Sequence, residues 1–369
     1  MRPSRILMTT DAVGGVWQYS LDLAQELAAA GTPVLLVGLG PEPTPPQREA
    51  VAALSGVELV WLNEPLDWLV EDETALDPLA PRLDHLAERH AVDLLHLNTP
   101  SQAVGLQTAR RVVIASHSCV VTWWQAMRSE PLPAEWEWQR RRNLAGFRRA
   151  DAVLAPSRSH AEALLEAYGT IAGLAVVPNA VRPVPVSAAD KEPFVLAAGR
   201  WWDEGKNAAL LDAAAAGCRW PLLMAGGLGG PNGQMVTPLH AQTAGVLSAF
   251  ETRALMARAS IFVAPSLYEP FGLAPLEAAL AGCALVVTDI PIFHEIWDDA
   301  AVFVDPHDPE ELRQVLDRLA EEPAERRELA RLAAARASEF SLARQVGALS
   351  RIYADVLSNG GRTPAAAEL

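Results

Sequence analysis

The sequence predicts an α/β protein built from two Rossmann-like domains that face each other, and three observations predict it. Short apolar runs alternate with helix-period segments along nearly all of the 369 residues. The alternation breaks at one proline-spaced stretch, Val181-Arg-Pro-Val-Pro-Val-Ser-Ala-Ala-Asp190, and then starts over. The length is also more than one compact core usually serves. In this architecture the strand-end loops of both halves are expected to line a common cleft, which is where small ligands bind.

The first half opens with the strand Ile6 to Thr10, the loop Asp11-Ala-Val-Gly-Gly-Val16, a helix from Trp17 to Ala29 ending at Gly31, and the strand Val34 to Gly38. This is a βαβ unit, and the adjacent Gly14 and Gly15 let backbone approach a ligand closely. Residues 41–51 are rich in proline and read as a surface loop, Val57 to Leu62 as a strand, and 63–81 as an irregular acidic segment. Asp84 to His90 continues a helix. Val92 to Leu97 and Val112 to Ser116 are strands, the second delivering His117 to a strand end. Residues 135–149 form a basic helix bearing tryptophans. It reads either as a solvated face anchored by its aromatics or as a weak contact with an anionic membrane, and one helix alone binds membranes weakly. Ala152 to Pro156 is a strand, Ser157 caps the next helix, and Ala175 to Ala180 closes this half.

The second half repeats the scheme. Phe194 to Ala198 is a strand, followed by the loop Gly199-Arg-Trp-Trp-Asp-Glu-Gly-Lys-Asn207, a helix from Ala208 to Ala216 and a strand from Pro221 to Ala225. The glycine-rich Gly226-Gly-Leu-Gly-Gly-Pro231 comes next, and a helix from Ala249 to Ala259 leads into the buried strand Ser260 to Pro265. Ala284 to Val287, a loop at 289–294 and Ala301 to Val304 complete the alternation. Pro309 to Leu319, Pro323 to Phe340 and Val346 to Leu357 are helical. Domain bounds follow at 1–182 and 183–340, with a C-terminal helix at 341–357 and a disordered tail at 358–369.

Charge and composition narrow the function. The formal net charge of −15 opposes a nucleic-acid role, because a phosphate backbone would be repelled. Any phosphate ligand must therefore be held by local positive groups. Cys119, Cys218 and Cys283 show no C-x-x-C spacing, so neither a zinc site nor a disulfide frame is indicated. No apolar stretch of membrane-spanning length occurs, and a cytoplasmic, soluble protein is expected.

Chemistry concentrates in Ser266-Leu-Tyr-Glu-Pro-Phe-Gly-Leu-Ala-Pro-Leu-Glu-Ala-Ala-Leu-Ala-Gly282. Glu269 and Glu277 bracket a glycine turn and a helix start, with Pro275 suited to the first helical position and Gly282 to the C-terminal cap. Free amides near Gly272 and Leu273 make an anion site. Two acids beside an anion site suit a ligand both phosphorylated and rich in hydroxyls, such as a nucleotide sugar.

The segment Tyr268 to Glu277 resembles the paired-glutamate motif of glycosyltransferase family 4, retaining enzymes of the GT-B fold. The resemblance extends in order through Gly14-Gly-Val16, His117, Ala150-Asp-Ala-Val-Leu-Ala-Pro-Ser157, Val176-Val-Pro-Asn-Ala180, Gly199-Arg with Lys206, and Leu223-Met-Ala-Gly-Gly. It implies catalytic roles for Glu269, His117, Arg200 and Lys206. It implies donor binding by Gly14, Gly15, Arg200, Lys206, Glu269, Phe271, Gly272, Leu273, Ala274 and Glu277. Arg200 and Lys206 are similar to the pair that holds the donor diphosphate, Glu277 to the acid on the ribose hydroxyls, and His117 to the histidine beside the sugar. The N-terminal domain then takes the acceptor and the C-terminal domain the donor, while the C-terminal helix returns toward the N-terminal domain. The chain departs from the family at Asn207, where glycine usually follows the lysine, at Ala180 and at His294.

The implied reaction transfers a hexosyl unit, with retention, from a nucleotide diphosphate sugar to a hydroxyl acceptor (a sugar, a lipid-linked glycan or a small molecule). A UDP-sugar is the favoured donor and GDP-mannose the next. No Asp-x-Asp signature is present, so no metal or other cofactor is expected. Glu269 as a covalent nucleophile and front-face departure assisted by the phosphate both remain open, and closure about 181–190 should assemble the site. The competing readings are an epimerase-like enzyme on the same fold and a catalytically silent, nucleotide-sugar-binding subunit. A phosphorylase lacks its pyridoxal lysine motif, and a nicotinamide oxidoreductase its glycine fingerprint. Trp123 and Trp124 either stack on an acceptor sugar or fill the domain interface.

Overall fold

The computed structural model describes residues 1–183 and 191–358. The chain divides into two compact units, one of Met1–Ala180 joined by the segment from Leu342, the other of Val181–Ser341. The expected hinge at 181–190 lies, beyond residue 183, outside the described residues, as does the tail after Ser358.

Unit 1 runs β1 (Ile6–Asp11), α1 (Gly15–Ala29), β2 (Val34–Leu39), α2 (Pro45–Ala52), β3 (Val57–Trp61), α3 (Leu79–Arg89), β4 (Leu94–Leu97), β5 (Arg111–Ala115), α4 (Val120–Met127), α5 (Glu137–Arg149), β6 (Ala152–Ala155), α6 (Arg158–Tyr168) and β7 (Leu174–Val176). Its seven strands pair in parallel in the order β3-β2-β1-β4-β5-β6-β7. The central strands are buried on both faces because helices cover both, the condition a parallel sheet imposes. Unit 2 runs β8 (Glu192–Ala198), α7 (Ala208–Ala215), β9 (Leu222–Ala225), β10 (Gln242–Gly245), α8 (Ala249–Arg258), β11 (Ala259–Ala264), α9 (Leu273–Leu280), β12 (Ala284–Thr288), α10 (Pro291–Trp297), β13 (Val302–Val304), α11 (Pro309–Glu321) and α12 (Pro323–Ala337). Its sheet is also parallel, in the order β10-β9-β8-β11-β12-β13.

The last helix, α13 (Leu342–Ser358), belongs to unit 1. It lays Leu349, Tyr353 and Val356 into the core formed by Ile6, Met8, Leu23 and Val113. Tyr353 is sealed from solvent, and its hydroxyl meets His96 Nδ1 at 2.7 Å. His96 Nε2 meets the Tyr19 hydroxyl at 3.2 Å, so two tyrosines satisfy both nitrogens of a fully buried ring.

Several local readings need correction. Residues 45–52 form helix α2, not a loop. Two prolines open it, where a missing N–H costs nothing, and the Gln47 side chain accepts from the Thr44 amide at 2.8 Å. Residues 291–297 form α10, with Pro291 in the same role. Helix α4 and the short, half-exposed β10 were not foreseen, the latter because Gln-Thr-Ala-Gly carries no strand signal. Helix α1 begins at Gly15, inside the glycine loop. Pro275 is the third residue of α9, still within the turn where an N–H has no helical partner.

The basic helix α5 points Arg140, Arg142 and Arg149 at its own unit. Arg140 donates to the Ala167 carbonyl at 2.7 Å, Arg149 to that of Thr108 at 2.7 Å, and buried Arg142 to Asp77 at 2.9 Å. These charges hold loops and helix ends, which favours the anchored-face reading over a membrane contact. Among the described residues no helix is long and apolar enough to cross a membrane.

The carboxyl ends of β8 and β9 come unusually close. A Cβ on Gly226 would stand 1.9 Å from the Gly199 carbonyl oxygen, and Gly226 has φ +124°. Around this contact Gly199 N donates to Ala225 O, Trp201 N to Gly227 O and Gly226 N to Gly245 O. Gly226→Ala should therefore destabilise unit 2 by about 2 kcal/mol or more. Urea unfolding followed by emission of the buried Trp201 and Trp297 checks this, and an unchanged midpoint would show that the two strand ends can separate freely.

Candidate active site

The loop after β8 is shaped by its own polar atoms. Asp203 accepts from the Gly205 amide at 3.0 Å, and backbone bonds run from Asp203 N to Arg200 O and from Lys206 N to Asp203 O. Asn207 then takes the left-handed conformation, φ +54° and ψ +50°, and donates from its side chain to Pro306 O at 2.8 Å. Asparagine tolerates that region better than most residues with a Cβ, so it does here what glycine would do after the lysine. The departure from the family pattern has a conformational explanation.

Gly205 O accepts from the amides of Leu267 at 2.9 Å and Tyr268 at 3.3 Å, fastening this loop to the one after β11. Lys206 Nζ consequently donates to Glu269 Oε2, with both side chains largely withdrawn from solvent. Glu269 in turn borders Gly272, since its Cγ would lie 3.5 Å from a Cβ built there. Gly272 has φ +93° and ψ +69° and caps α9. An added methyl would also press on Pro275 at 3.0 Å and Phe293 at 3.3 Å, so glycine is required by both conformation and space. Beyond it, the Leu273 and Ala274 amides occupy the first helical turn, where backbone donors have no intrahelical acceptor. Phe271 is buried, edge-on to Phe340 at 5.6 Å.

Arg200 is half-exposed. Its Nη2 reaches Asp203 at 3.3 Å, and its guanidinium carbon lies 5.3 Å from the Trp202 ring centre. This salt bridge competes with a ligand role only weakly, because it is long and partly in water, where such pairs are worth little. Glu277 lies in the second turn of α9, and Arg253 of α8 clasps it with Nε at 3.0 Å and Nη2 at 3.0 Å from the same Oε1. Arg253 was not foreseen. It sits in helix α8, 24 positions upstream, and no local motif marks it.

Unit 2 therefore gathers Arg200, Lys206, Glu269, Phe271, Gly272, Leu273, Ala274 and Glu277 on the loops after β8 and β11 and on α9. The remaining three lie in unit 1. Gly14 is the extended residue before α1 and Gly15 its exposed first residue. His117 follows β5 with its Nε2 3.0 Å from Asn98 Oδ1 and its ring edge-on to Tyr19 at 4.4 Å. Trp123 and Trp124 lie 5.2 and 5.6 Å from the Arg128 guanidinium, and Trp124 meets Trp136 edge-on at 5.2 Å. Among the described residues no group of three or more His, Cys, Asp or Glu is placed to hold a metal ion.

Two parallel-sheet Rossmann-like units, the second carrying cations and paired acids around a helix N-terminus, define the GT-B class of glycosyltransferases. The model described as Glycosyltransferase Family 4 matches residues 13–184, and that described as Glycosyl transferases group 1 matches 184–336. The chain belongs to glycosyltransferase family 4. The serotype-specific mannosyltransferase WbdA of Escherichia coli is 38% identical over 101 residues, 27% of this chain and 12% of that protein. The chain thus spans only a small part of this curated relative. In fold, it is similar to the sucrose-phosphate synthase of Thermosynechococcus elongatus (TM-score 0.78, 18% identity, covering 96% of this chain and 100% of that one). It is also similar to Anabaena HepE in complex with UDP-glucose (TM-score 0.74, 19% identity, covering 95% and 99%).

Unit 1 holds three histidines near the C-terminal strand ends, His96 and His160 buried and His117 half-buried, and withdrawal from water depresses all of them: His96 to about 3, His117 to about 4 and His160 to about 3. Each is neutral when folded but takes a proton when unfolded below about pH 6.5, so these groups lend stability above that value that is lost as pH falls toward 4. Each contributes a loss of about 2 kcal/mol by pH 5. Urea midpoints of unit 1 at pH 7 and pH 5 measure this, and equal midpoints would mean the rings are accessible to water in the folded state.

Proposed function

We propose that the protein transfers a hexosyl unit from a nucleotide diphosphate hexose to a hydroxyl acceptor, with retention of configuration. The observation that carries the reading is the contiguous group Lys206, Glu269 and Gly272, with Arg200 on the same loop as the lysine. In a chain of net charge −15, this local cationic charge beside a helix N-terminus suits a diphosphate. Asp203 and Glu269 pair with the cations that the diphosphate would take. In the proposed reaction the bond from the anomeric carbon to the diphosphate breaks as the bond to the acceptor oxygen forms, and the acceptor's hydroxyl proton passes to the departing phosphate oxygen. Arg200, Lys206 and the amides of Leu273 and Ala274 stabilise the negative charge that develops on the leaving group.

Glu277, oriented by Arg253, is assigned to the ribose hydroxyls. Glu269 spends Oε2 on the Lys206 ammonium, which supports a positioning role and front-face departure over attack on carbon by this carboxylate. Gly14, Gly15 and His117 are assigned to the diphosphate and sugar through the family resemblance. The UDP-glucose held by HepE and the mannosyl transfer named for WbdA make UDP-glucose and GDP-mannose the first donors to try. Because two side chains take the place of a bridging cation, the proposal includes metal independence.

Hydrolysis of UDP-, GDP- and ADP-sugars tests the reading, and activity is expected to survive EDTA. Arg200→Ala combined with Lys206→Ala should lower kcat by about a hundredfold or more and weaken nucleoside diphosphate binding in calorimetry. Unchanged diphosphate affinity in the double variant would remove both residues from the site.

A further inference from the structure

Asn98 stands just past the end of β4, buried, with its side-chain amide joining three segments of unit 1. Its Nδ2 donates to the Thr9 carbonyl at 2.5 Å and lies 3.1 Å from Ser20 Oγ. Its backbone amide donates to Thr9 Oγ1 at 2.8 Å, and that hydroxyl passes its hydrogen to Gln102 Oε1 at 2.7 Å. A peptide carbonyl can only accept, so the Thr9 contact decides which end of the amide is nitrogen. Rotating the amide by half a turn would set two oxygens face to face inside the protein, with no water to separate them.

The consequence falls on His117. Asn98 Oδ1 lies 3.0 Å from His117 Nε2, and an amide oxygen also can only accept. The hydrogen of that bond therefore belongs to Nε2. The ring is neutral near pH 7, because burial holds its pKa to about 4. A neutral imidazole carries one ring hydrogen, so Nδ1 is left with a lone pair. Nδ1 has no hydrogen-bond partner among the described residues.

We propose that Asn98 is a positioning residue that locks His117 in its Nε2–H tautomer, so that Nδ1 accepts a hydrogen bond from a substrate hydroxyl. The hydroxyl half of this assignment rests on the glycosyltransferase reading, whereas the tautomer does not. A chain of fixed acceptors, from the Thr9 carbonyl to the histidine, thus sets the polarity of a ring nitrogen two side chains away.

The tautomer is read directly from long-range proton–nitrogen spectra of the full-length protein labelled at histidine nitrogen, at pH 7. The His117 resonances are assigned by their loss in His117→Gln. The expected pattern is a pyrrole-type Nε2 and a pyridine-type Nδ1. The opposite pattern, or averaging between the two, overturns the proposal with no variant of Asn98 required. In Asn98→Ala the folded protein should show both tautomers, and UDP-glucose or GDP-mannose hydrolysis should fall by about tenfold in kcat/KM, the scale of one misdirected hydrogen bond. Wild-type tautomer and wild-type turnover in Asn98→Ala would reduce Asn98 to a packing residue and overturn the role. If the wild-type protein hydrolyses no nucleotide sugar while the Nε2–H pattern is found, the functional reading fails and the tautomer assignment stands.

Discussion

The site in unit 2 depends on one backbone oxygen. Gly205 O accepts from two consecutive amides, those of Leu267 and Tyr268, and so couples the loop after β8 to the loop after β11. Without that coupling Lys206 and Glu269, 63 positions apart, would be two exposed charges on independent loops. With it, the lysine has one place to be. The arrangement needs conformations that few residues accept: the turn through Asp203, the left-handed Asn207, and the left-handed Gly272 that admits no methyl group. Each removes freedom that the unfolded chain has, and the sheet contact between Gly199 and Gly226 gives the loop a fixed base from which to start.

Unit 1 solves a different problem, that of keeping polar groups inside an apolar core. His96 bonds to tyrosines from α1 and α13, His160 to Ser116, and His117 to Asn98. Each partner is neutral, so the rings are held uncharged by both solvent exclusion and the lack of an acid to pair with. Such a network specifies rotamers and ring orientation more tightly than apolar packing does, because each atom must donate or accept in turn.

Much of this was legible in the sequence. The parallel strands announced themselves as short runs of Val, Leu, Ile and Ala, and the Tyr268 to Glu277 segment carried its turn, its helix and its acids in order. Local signals gave way where a residue had two uses. The prolines at 45 and 46 suggested a loop because proline breaks helices, but at the first two positions it starts them. Pro291 misled in the same way. The partners that orient the candidate residues were not legible at all. Arg253 reaches Glu277 from another helix, and Asn98 reaches His117 from the neighbouring strand, so no local period or spacing connects them. The basic run of α5 showed the converse. Its charge looked like an outward-facing feature, and Arg140, Arg142 and Arg149 turn theirs to carbonyls and an acid of the same unit.

The return of α13 to unit 1 bears on the order in which the molecule can be made. The hydroxyl that satisfies His96 Nδ1 lies 257 positions further along the chain. During synthesis the whole of unit 2 is therefore made while the first unit still lacks Leu349, Tyr353 and Val356 in its core. Until then it carries an apolar gap and a buried histidine short of one partner, a state open to wrong contacts. The second unit has no such wait, since all of its strands come from one continuous stretch of chain. The unit begun first is the one finished last, and a nascent chain stalled between Ser341 and Tyr353 would hold a complete second unit and an incomplete first.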